Sequence, residues 1–212
     1  MNKKQRIMAA AETLVKTGQF HEITLNEIAK RADVGKGTIY EYFPSKDELF
    51  FQTAIAAYDQ MCELLRQSIA EQCRIQERLE RACATISSFV MDHRPLFRLM
   101  HAQGELAQGK GGKMWERWMR HRKGLSDVIA EVIRTASERG EVRPAASAEA
   151  MAEYFIGMIR TQFNELEGLS EKDRSHRTLV ALFLHGLMCS TPAPSANKHH
   201  SLNTRPSKLV RE

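Results

Sequence analysis

The segment of residues 24–46, TLNEIAKRADVGKGTIYEYFPSK, constrains the fold more than any other part of this sequence. Thr24 and Glu27 have the spacing of a capping box, which predicts a helix that begins at Leu25. The apolar spacing of that helix is broken by three residues that end in Gly35, and we expect this glycine to adopt the positive φ that a sharp reversal requires. The segment therefore predicts a short helix followed by a tight turn.

A second short helix is predicted from Lys36 to about Tyr42, directly after the turn. Pro44 ends it, because proline disfavours the helical conformation in the residue before it. Ser45 and Glu48 repeat the spacing of a capping box and predict that another helix begins at once. Two helices joined by a turn that contains glycine, with a polar outer face on the second, are typical of a helix-turn-helix. The second helix of that motif fits the major groove of DNA.

The segment VGKGTIYEYFPSKDELF resembles the recognition helix and the start of the fourth helix in the TetR family of bacterial transcriptional repressors. The resemblance implies an all-α fold, with an N-terminal three-helix DNA-binding part and a larger helical part that binds an effector. It also implies a homodimer through the last two helices, at about residues 148–188. A departure is Gly35, where family members often have a capping serine. The DNA contacts that the resemblance implies are Lys36, Gly37, Thr38, Tyr40, Tyr42 and Lys46.

The chemistry of these side chains fits DNA. Lys36 can reach a guanine edge, and Thr38 suits a phosphate or a thymine methyl group. Tyr40 and Tyr42 can place their hydroxyls on phosphate oxygens, although either ring could instead pack on the first helix. Lys46 and the free amides at the start of the fourth helix predict a phosphate site.

Apolar residues at helical spacing predict about nine helices, and no segment shows the alternation of a strand. The fourth helix contains neither proline nor glycine, so it can join the DNA-reading part to the rest of the chain and transmit motion between them. The expected bounds are residues 3–17 for the first helix, 45 to about 73 for the fourth, an end near 92–93 for the fifth, Pro95 as the start of the sixth, about 114–139 for the seventh, and starts at 147 and 170 for the eighth and ninth.

We expect residues 3–62 to form the DNA-binding domain and residues 63–190 to form the effector-binding and dimerisation domain. Residues 191–212 are polar, basic and without periodicity, which predicts a disordered tail. The net charge of +5 is compatible with nucleic acid but does not establish it. No apolar run reaches the ~20 residues needed to cross a bilayer, and the N-terminus lacks the apolar core of a signal peptide, so we expect no membrane partner and a cytoplasmic location.

The cysteines form no CxxC pair and have no histidine at zinc-finger spacing, so buried thiols are expected, with redox or metal sensing as the alternative. His93 and His101 are expected to be structural. Residues 104–110 match the first part of a phosphate-binding P-loop, but Gly111 follows where Ser or Thr is required, and no strand precedes them. They predict a flexible connector. No catalytic pattern is present, so we expect neither an enzyme nor a cofactor or metal.

Aromatic and methionine side chains of the C-terminal part could line a cavity for an unknown small hydrophobic or anionic effector. At helical spacing the same side chains could equally be plain core. The candidates, besides Tyr58, are Met61, Phe89, Phe97, Met100, Trp115, Trp118, Met119, Phe155, Met158 and Gln162.

A dense basic cluster follows the connector and surrounds His121. We expect a solvated face, with the mouth of a site for an anionic effector such as an acyl-CoA or an aromatic acid as the alternative. The cations of the first helix likewise leave two interpretations open, a solvated terminus or an arm on DNA phosphates. The two sets are Lys110, Lys113, Arg117, Arg120, Arg122 and Lys123 in the cluster, and Lys3, Lys4 and Arg6 in the arm.

Together with the patterns above, the resemblance implies a ligand-responsive repressor that binds a palindromic operator in double-stranded DNA as a dimer and is released by a small molecule. The alternative is a DNA-binding regulator without a small-molecule effector, controlled by a protein partner or acting as an activator.

Overall fold

A computed structural model describes residues 1–69, 72–99, 113–164 and 168–188. Within these ranges the regular structure consists of nine helices and contains no strand, which confirms the predicted all-α fold. No helix of the described residues is long and apolar enough to span a membrane. The helices are α1 (Lys3–Thr17), α2 (Leu25–Ala32), α3 (Lys36–Tyr42), α4 (Lys46–Ser68), α5 (Ile75–Asp92), α6 (helical over residues 94–99), α7 (Lys113–Glu138), α8 (Ala148–Asn164) and α9 (His176–Met188).

Capping boxes start the first two helices. The Thr24 hydroxyl accepts the Glu27 N–H at 3.2 Å, and the Glu27 carboxylate accepts the Thr24 N–H at 2.7 Å, as predicted. Asn2 and Gln5 form the same reciprocal pair at the start of α1. Four backbone N–H groups at each helix start lack a partner within the helix, so these side chains determine where α1 and α2 begin.

The turn between α2 and α3 differs from the prediction. Asp33 holds the positive φ of 52°, whereas Gly35 has a φ of −70° and caps α3 without a side chain. The reversal begins at the C-cap of α2, where the Val34 N–H bonds to the Ala29 carbonyl at 3.0 Å. Asp is among the few residues that adopt this conformation readily. The expectation of a positive φ at Gly35 is therefore wrong.

The start of α4 has only half of the predicted capping box. Ser45 accepts the Glu48 N–H at 3.1 Å, but the Glu48 carboxylate does not return to the Ser45 backbone. It accepts hydrogen bonds from Gln52 at 2.7 Å and from Arg117 of α7. A tertiary contact thus replaces the local one.

The predicted extension of the fourth helix to Cys73 is also wrong. The helix ends at Ser68, where the Ser68 hydroxyl donates to the Leu65 carbonyl at 2.9 Å, and Ile69 is extended. Because α5 packs against α4, the chain must leave the helical path here, and Cys73 lies in the connector.

The ninth helix begins later than predicted. Ser170 and Asp173 bond to each other, but they close a single turn. Ser175 accepts the Thr178 N–H at 3.1 Å and is the residue that starts α9 at His176. The other expected bounds agree with the structure, including the cap at Ser147 and the end of α7 before Gly140, which has a φ of 72°.

The buried apolar side chains of the described residues form one continuous cluster from α1 to α9. Ile7, Ile28, Ile39 and Phe43 are fully buried beneath the three N-terminal helices. Leu49, Phe50 and Phe51 continue that core into α4, and Phe50 meets the Phe20 ring edge-on at 5.1 Å. The helix α4 therefore belongs to both the N-terminal unit and the larger C-terminal bundle, where it packs on α5 and α7.

Candidate DNA-reading face and effector cavity

The outer face of α3 is open to solvent. Tyr40 is 51% exposed and Tyr42 40%, whereas Ile39 and Phe43 on the inner side are fully buried and hold the helix against the N-terminal core. A Cβ atom added to Gly37 would meet no atom within 4 Å, so the protein's own packing does not require glycine there. The predicted DNA contacts Lys36, Gly37, Thr38 and Tyr40 lie together on this helix, and all but the half-buried Thr38 are exposed.

The charges around this face favour an anion. Lys30 and Arg31 in the last turn of α2 and Lys36 on α3 are exposed and make no ion pair with any described residue. The Glu48 carboxylate in the first turn of α4 is paired with Arg117 at 3.0 Å. Glu41 is exposed on α3 and is an acidic exception on the face.

Lys46 is placed differently from the other predicted contacts. Its ammonium donates to the Phe20 carbonyl and lies 4.3 Å from the centre of the Phe20 ring. Burial lowers the pKa of Lys46, and the carboxylates of Asp47 and Glu27 oppose this shift. The Lys46 side chain therefore joins α4 to the connector between α1 and α2. A DNA phosphate that binds the Lys46 ammonium would have to compete with the Phe20 carbonyl.

Two of the three cations in the predicted arm also have partners inside the unit. The Arg6 guanidinium donates to the Asp33 carbonyl at 3.3 Å and pairs with its carboxylate at 3.5 Å. The Lys4 ammonium lies 5.6 Å from the centre of the Phe43 ring. Lys3 is exposed. The contacts of Arg6 and Lys4 favour a structural role for these two residues, since they connect α1 to the turn and to the end of α3.

A cavity of about 720 Å³ lies among α4 to α8, the segment before α9 and His176 at the start of α9. This volume is within the ~300–1,000 Å³ range of sites that bind small molecules. Its apolar wall contains an aromatic group in which the Tyr58 ring lies 5.3 Å from that of Trp118 and 6.2 Å from that of Phe97. The other apolar lining residues are Met61, Ile86, Val90, Met91, Leu125, Ile156, Gly157, Ile159 and Phe163.

The charged lining of the cavity is predominantly cationic. Arg94, Arg98 and Arg160 reach it and form no ion pair with a described residue. The only lining carboxylate among the described residues, that of Glu153, is paired with Arg122 at 3.1 Å. An apolar chamber with uncompensated guanidinium groups suits a ligand that has both an apolar body and a negative charge.

Four of the residues that line the cavity each carry a buried polar atom without a hydrogen-bond partner among the described residues. These atoms are the Ser87 hydroxyl, the Trp118 indole N–H, the Gln162 amide oxygen and the Arg174 Nε. The amide nitrogen of Gln162 is used, since it donates to the Arg174 carbonyl. Because buried polar groups are nearly always bonded, these atoms mark positions where a ligand can complete the structure.

The predicted cavity residues divide into three groups. Met61, Phe97, Trp118 and Gln162 line the cavity, as does Tyr58. Others lie elsewhere: the Phe89 ring stacks on His93 at 3.9 Å, Phe155 packs on Phe183 at 4.9 Å, Met119 is exposed and Met158 packs against the core. Met100 and the side chain of Trp115 lie outside the described residues.

Sequence reasoning missed four of the five arginines that line the cavity, because only Arg122 belongs to the predicted basic cluster. Arg94 and Arg98 are four residues apart, which places both on one face of α6. That spacing was an available signal. Arg160 and Arg174 come from other parts of the chain, and their approach to the same cavity depends on the tertiary fold.

The basic cluster of α7 is divided between ion pairs and solvent. Arg117 donates two hydrogen bonds to Glu48 at 3.0 and 3.1 Å, and His121 lies 3.2 Å from Asp59. Arg122 pairs with Glu153, whereas Arg120 and Lys123 are exposed. Lys110, the side chain of Lys113, His101, the P-loop-like residues 104–111 and the tail 191–212 lie outside the described residues.

Two polar contacts connect the cavity region to the N-terminal unit. Arg117, the residue before Trp118, binds Glu48 at the start of α4 and lies 4.6 Å from the centre of the Phe51 ring. His93, beside the cavity residue Arg94, places Nε2 at 3.2 Å from the Glu12 carboxylate of α1 and Nδ1 at 2.8 Å from the Phe89 carbonyl. A change of shape in the cavity would therefore reach both α1 and α4.

The two cysteines of the core, Cys62 and Cys83, are buried free thiols. Burial raises the pKa of Cys62 to about 11 and that of Cys83 to about 12, so both are protonated thiols at neutral pH. Cys73 is half-buried in the connector, and Cys189 lies outside the described residues. Among the described residues no group of His, Cys, Asp and Glu side chains is arranged to hold a metal ion.

Residues 7–53 match the model of a family described as bacterial regulatory proteins, tetR family. An uncharacterized HTH-type transcriptional regulator of Bacillus subtilis, YhgD, is 23% identical over 75% of this chain and 83% of its own length. A fatty acid metabolism regulator protein of the same organism is 24% identical over 73% of this chain and 78% of its own length. The crystal structure of FadR from Bacillus subtilis in complex with stearoyl-CoA has the same fold, with a TM-score of 0.68 at 17% identity over 86% of this chain and 98% of that one.

Proposed function

Because this chain belongs to the TetR family of bacterial regulatory proteins, we propose that it is a ligand-responsive repressor of transcription that binds operator DNA as a dimer. The observation that carries the proposal is the exposed polar face of α3 on a unit whose core continues through α4 to an apolar, cationic cavity. The face supplies a DNA reader, and the cavity supplies a place for a signal.

In this proposal residues 3–62 form the DNA-binding domain, and Lys36, Gly37, Thr38 and Tyr40 meet the major groove. Their exposure and the unpaired cations of α2 support this assignment. Tyr42 and Lys46 lie at the edge of the face, where the tyrosine hydroxyl can bind a phosphate oxygen. Lys46 contributes mainly by holding the start of α4 against Phe20.

The proposed dimer forms through α8 and α9, at about residues 148–188 of the domain that spans 63–190. Two apolar side chains support this surface, because Tyr154 on α8 is 66% exposed and Leu182 on α9 is 62% exposed. A two-fold dimer would place two copies of α3 about 34 Å apart on successive major grooves, so the operator should be roughly palindromic.

The proposed effector binds in the cavity, and its class is hydrophobic with a negative charge. The cationic lining supports this class, and a protein of the same fold was solved with stearoyl-CoA. Tyr58 and Met61 of α4 contact the ligand directly, while the first turn of the same helix holds Glu48 and Lys46. An effector that fits only one position of α4 would shift the population away from the state that fits the operator.

A regulator that responds to a protein partner, or that activates transcription, is the alternative. The two differ in whether the cavity binds a small molecule that changes DNA affinity. The test is to select DNA from a random library, measure binding by fluorescence anisotropy, and repeat the measurement with apolar acids. Release of a selected palindrome by an acid that also raises the melting temperature supports the repressor; unchanged DNA affinity with every bound acid contradicts it.

A further inference from the structure

The cavity contains two deeply buried hydrogen-bonding groups on different helices. Trp118 of α7 is 3% exposed and Ser87 of α5 is 7% exposed, and neither the indole N–H nor the hydroxyl has a partner among the described residues. An indole N–H only donates, whereas a hydroxyl can donate or accept. The complement of Trp118 must therefore be an acceptor atom, and an oxygen acceptor also suits the Ser87 hydroxyl.

The guanidinium groups that line the cavity indicate a second feature of the ligand, a negatively charged group. Arg94, Arg98 and Arg160 are exposed at its rim, and Arg122 and Arg174 are half-buried, whereas Trp118 and Ser87 are buried. Guanidinium groups bind carboxylate and phosphate oxygens in a bidentate manner. Because the polar demands at the rim and in the interior differ in depth and charge, one terminal acid group does not satisfy both.

We infer that the ligand of this cavity is an amphipathic acid whose apolar body carries a second, uncharged oxygen acceptor. Trp118 and Ser87 recognise this acceptor. The inference rests on the proposed function of the cavity as an effector site. The acid group, a carboxylate or a phosphate, binds the rim arginines. Apolar residues such as Ile86, Val90 and Ile159 surround the intervening chain. Trp118 and Ser87 are thus specificity-determining residues that distinguish an oxygenated acid from a plain one.

The test uses the full-length protein and isothermal titration calorimetry with a matched set of probes. Dodecanoate, monododecyl phosphate and 1-dodecanol test the charge, and 3-oxo-, 6-oxo- and 9-oxododecanoate test the internal acceptor. We expect one of the two acids to bind at least about tenfold more tightly than the alcohol, and at least one oxo acid to exceed dodecanoate by about tenfold, the ratio that one net hydrogen bond supplies.

Matched variants assign these preferences to residues. Trp118→Phe removes the N–H and keeps an aromatic ring, and Ser87→Ala removes only the hydroxyl. Either variant should reduce the oxo preference to about twofold or less while the preference for an acid over the alcohol persists. Arg98→Gln should reduce the preference for an acid over the alcohol and leave the preference for the oxo acid in place. The exposed neighbours Ser88 and Arg120, which do not line the cavity, provide the controls Ser88→Ala and Arg120→Gln.

The inference is overturned if no oxo acid exceeds dodecanoate, if the preference survives Trp118→Phe in a protein with an unchanged melting temperature, or if the alcohol binds as well as both acids. DNA binding is measured on the same samples. Intact DNA binding without any probe binding refutes this inference and leaves a DNA-binding regulator, whereas the expected probe pattern without DNA binding supports the inference and refutes the repressor.

Discussion

At the scale of single residues, Glu48 shows how one side chain serves two parts of the fold. Burial by itself raises the pKa of Glu48, but the hydrogen bonds from Arg117 and Gln52 outweigh that effect and bring the pKa below its ordinary value near 4.5. The folded protein therefore stabilises the charged form of the Glu48 carboxylate relative to the protonated form. It joins the first turn of α4 to α7, at the junction between the reader and the cavity.

The lowered pKa of Glu48 predicts a pH-dependent stability. The unfolded chain binds a proton more readily, so the stabilisation is present above pH 4.5 and is lost as the pH falls through the folded pKa. Glu48→Gln should cost about 1 kcal/mol at pH 7, since Arg117 is partly exposed, and less at pH 3.5. Urea unfolding at both values measures this. Glu63→Gln, which alters an exposed pair on the same helix, is the control, and an equal loss at both values would contradict the assignment.

Gly37 gives a second prediction at this scale. The added Cβ of Gly37→Ala meets no atom within 4 Å, and alanine is the better helix former, so the variant should unfold about 1–2 °C higher than the wild type. The same methyl group stands between α3 and the base pairs and should weaken operator binding about tenfold. Calorimetry and fluorescence anisotropy on one preparation separate these effects. Unchanged DNA affinity would show that this face does not approach the bases.

At the scale of elements, α4 packs against both the N-terminal unit and the cavity, and in the proposed function it connects the effector to α3. The first turn of α4 holds Glu48 and Lys46 in contacts with α7 and with the connector before α2, and its middle exposes Tyr58 and Met61 to the cavity. The Tyr58 hydroxyl also donates to the Arg122 carbonyl of α7 at 3.3 Å. A movement between α4 and α7 would therefore change the cavity and the position of α3 together.

A cross-link between α4 and α7 tests this movement. An added Cβ at Gly124 of α7 lies 3.9 Å from the Cys62 sulfur of α4, so Gly124→Cys places a second thiol within reach of a disulfide. We expect the oxidised variant to bind DNA but to resist release by an effector, and the reduced form of the same protein to release normally. Equal release in both forms would refute α4 as the lever.

At the scale of the whole molecule, the proposed dimer would determine the spacing of the operator. If one α3 reads one half-site, the distance between two half-sites depends on the dimer that we propose through α8 and α9. Leu182→Glu places a charge on this exposed apolar surface and should shift the protein toward the monomer in sedimentation velocity, with a loss of affinity for the full palindrome. Leu64→Glu, at another exposed leucine, is the control. A dimer that survives Leu182→Glu unchanged would place the interface elsewhere.

The sequence predicted what local chemistry determines. Thr24 and Glu27 are three residues apart, so their capping box could be read directly, and the helical spacing of apolar residues predicted the all-α fold. The positive φ could not be assigned between Asp33 and Gly35, because both residue types allow it. The contact of Lys46 with Phe20 crosses 26 positions of the chain and depends on how α4 packs.

The cavity was predicted least well, because its lining is set by tertiary packing. The stripes of aromatic residues include Phe97 and Trp118, which line the cavity, but also Phe155, which lies in the core against Phe183. Arg160 and Arg174 reach the cavity from α8 and from the segment before α9, and no short-range pattern joins them. Helical spacing identifies a face of a helix but not what that face meets.

We propose that the outer face of α3 reads a palindromic operator, and one measurement tests this role of α3 most directly. The wild-type protein first selects DNA from a random library. Binding of the selected DNA is then compared among the wild type, Lys36→Ala and the control Lys123→Ala, which changes an exposed residue of α7. Fluorescence anisotropy is measured against the selected site and against sites with single base changes. We predict that the selected DNA is an inverted repeat whose half-site centres lie about one helical turn apart or a multiple of it. We also predict that Lys36→Ala alone loses about 1–3 kcal/mol of discrimination between bases at one position of each half-site. Selection of no inverted repeat, or the same discrimination in Lys36→Ala as in wild type, would contradict the account.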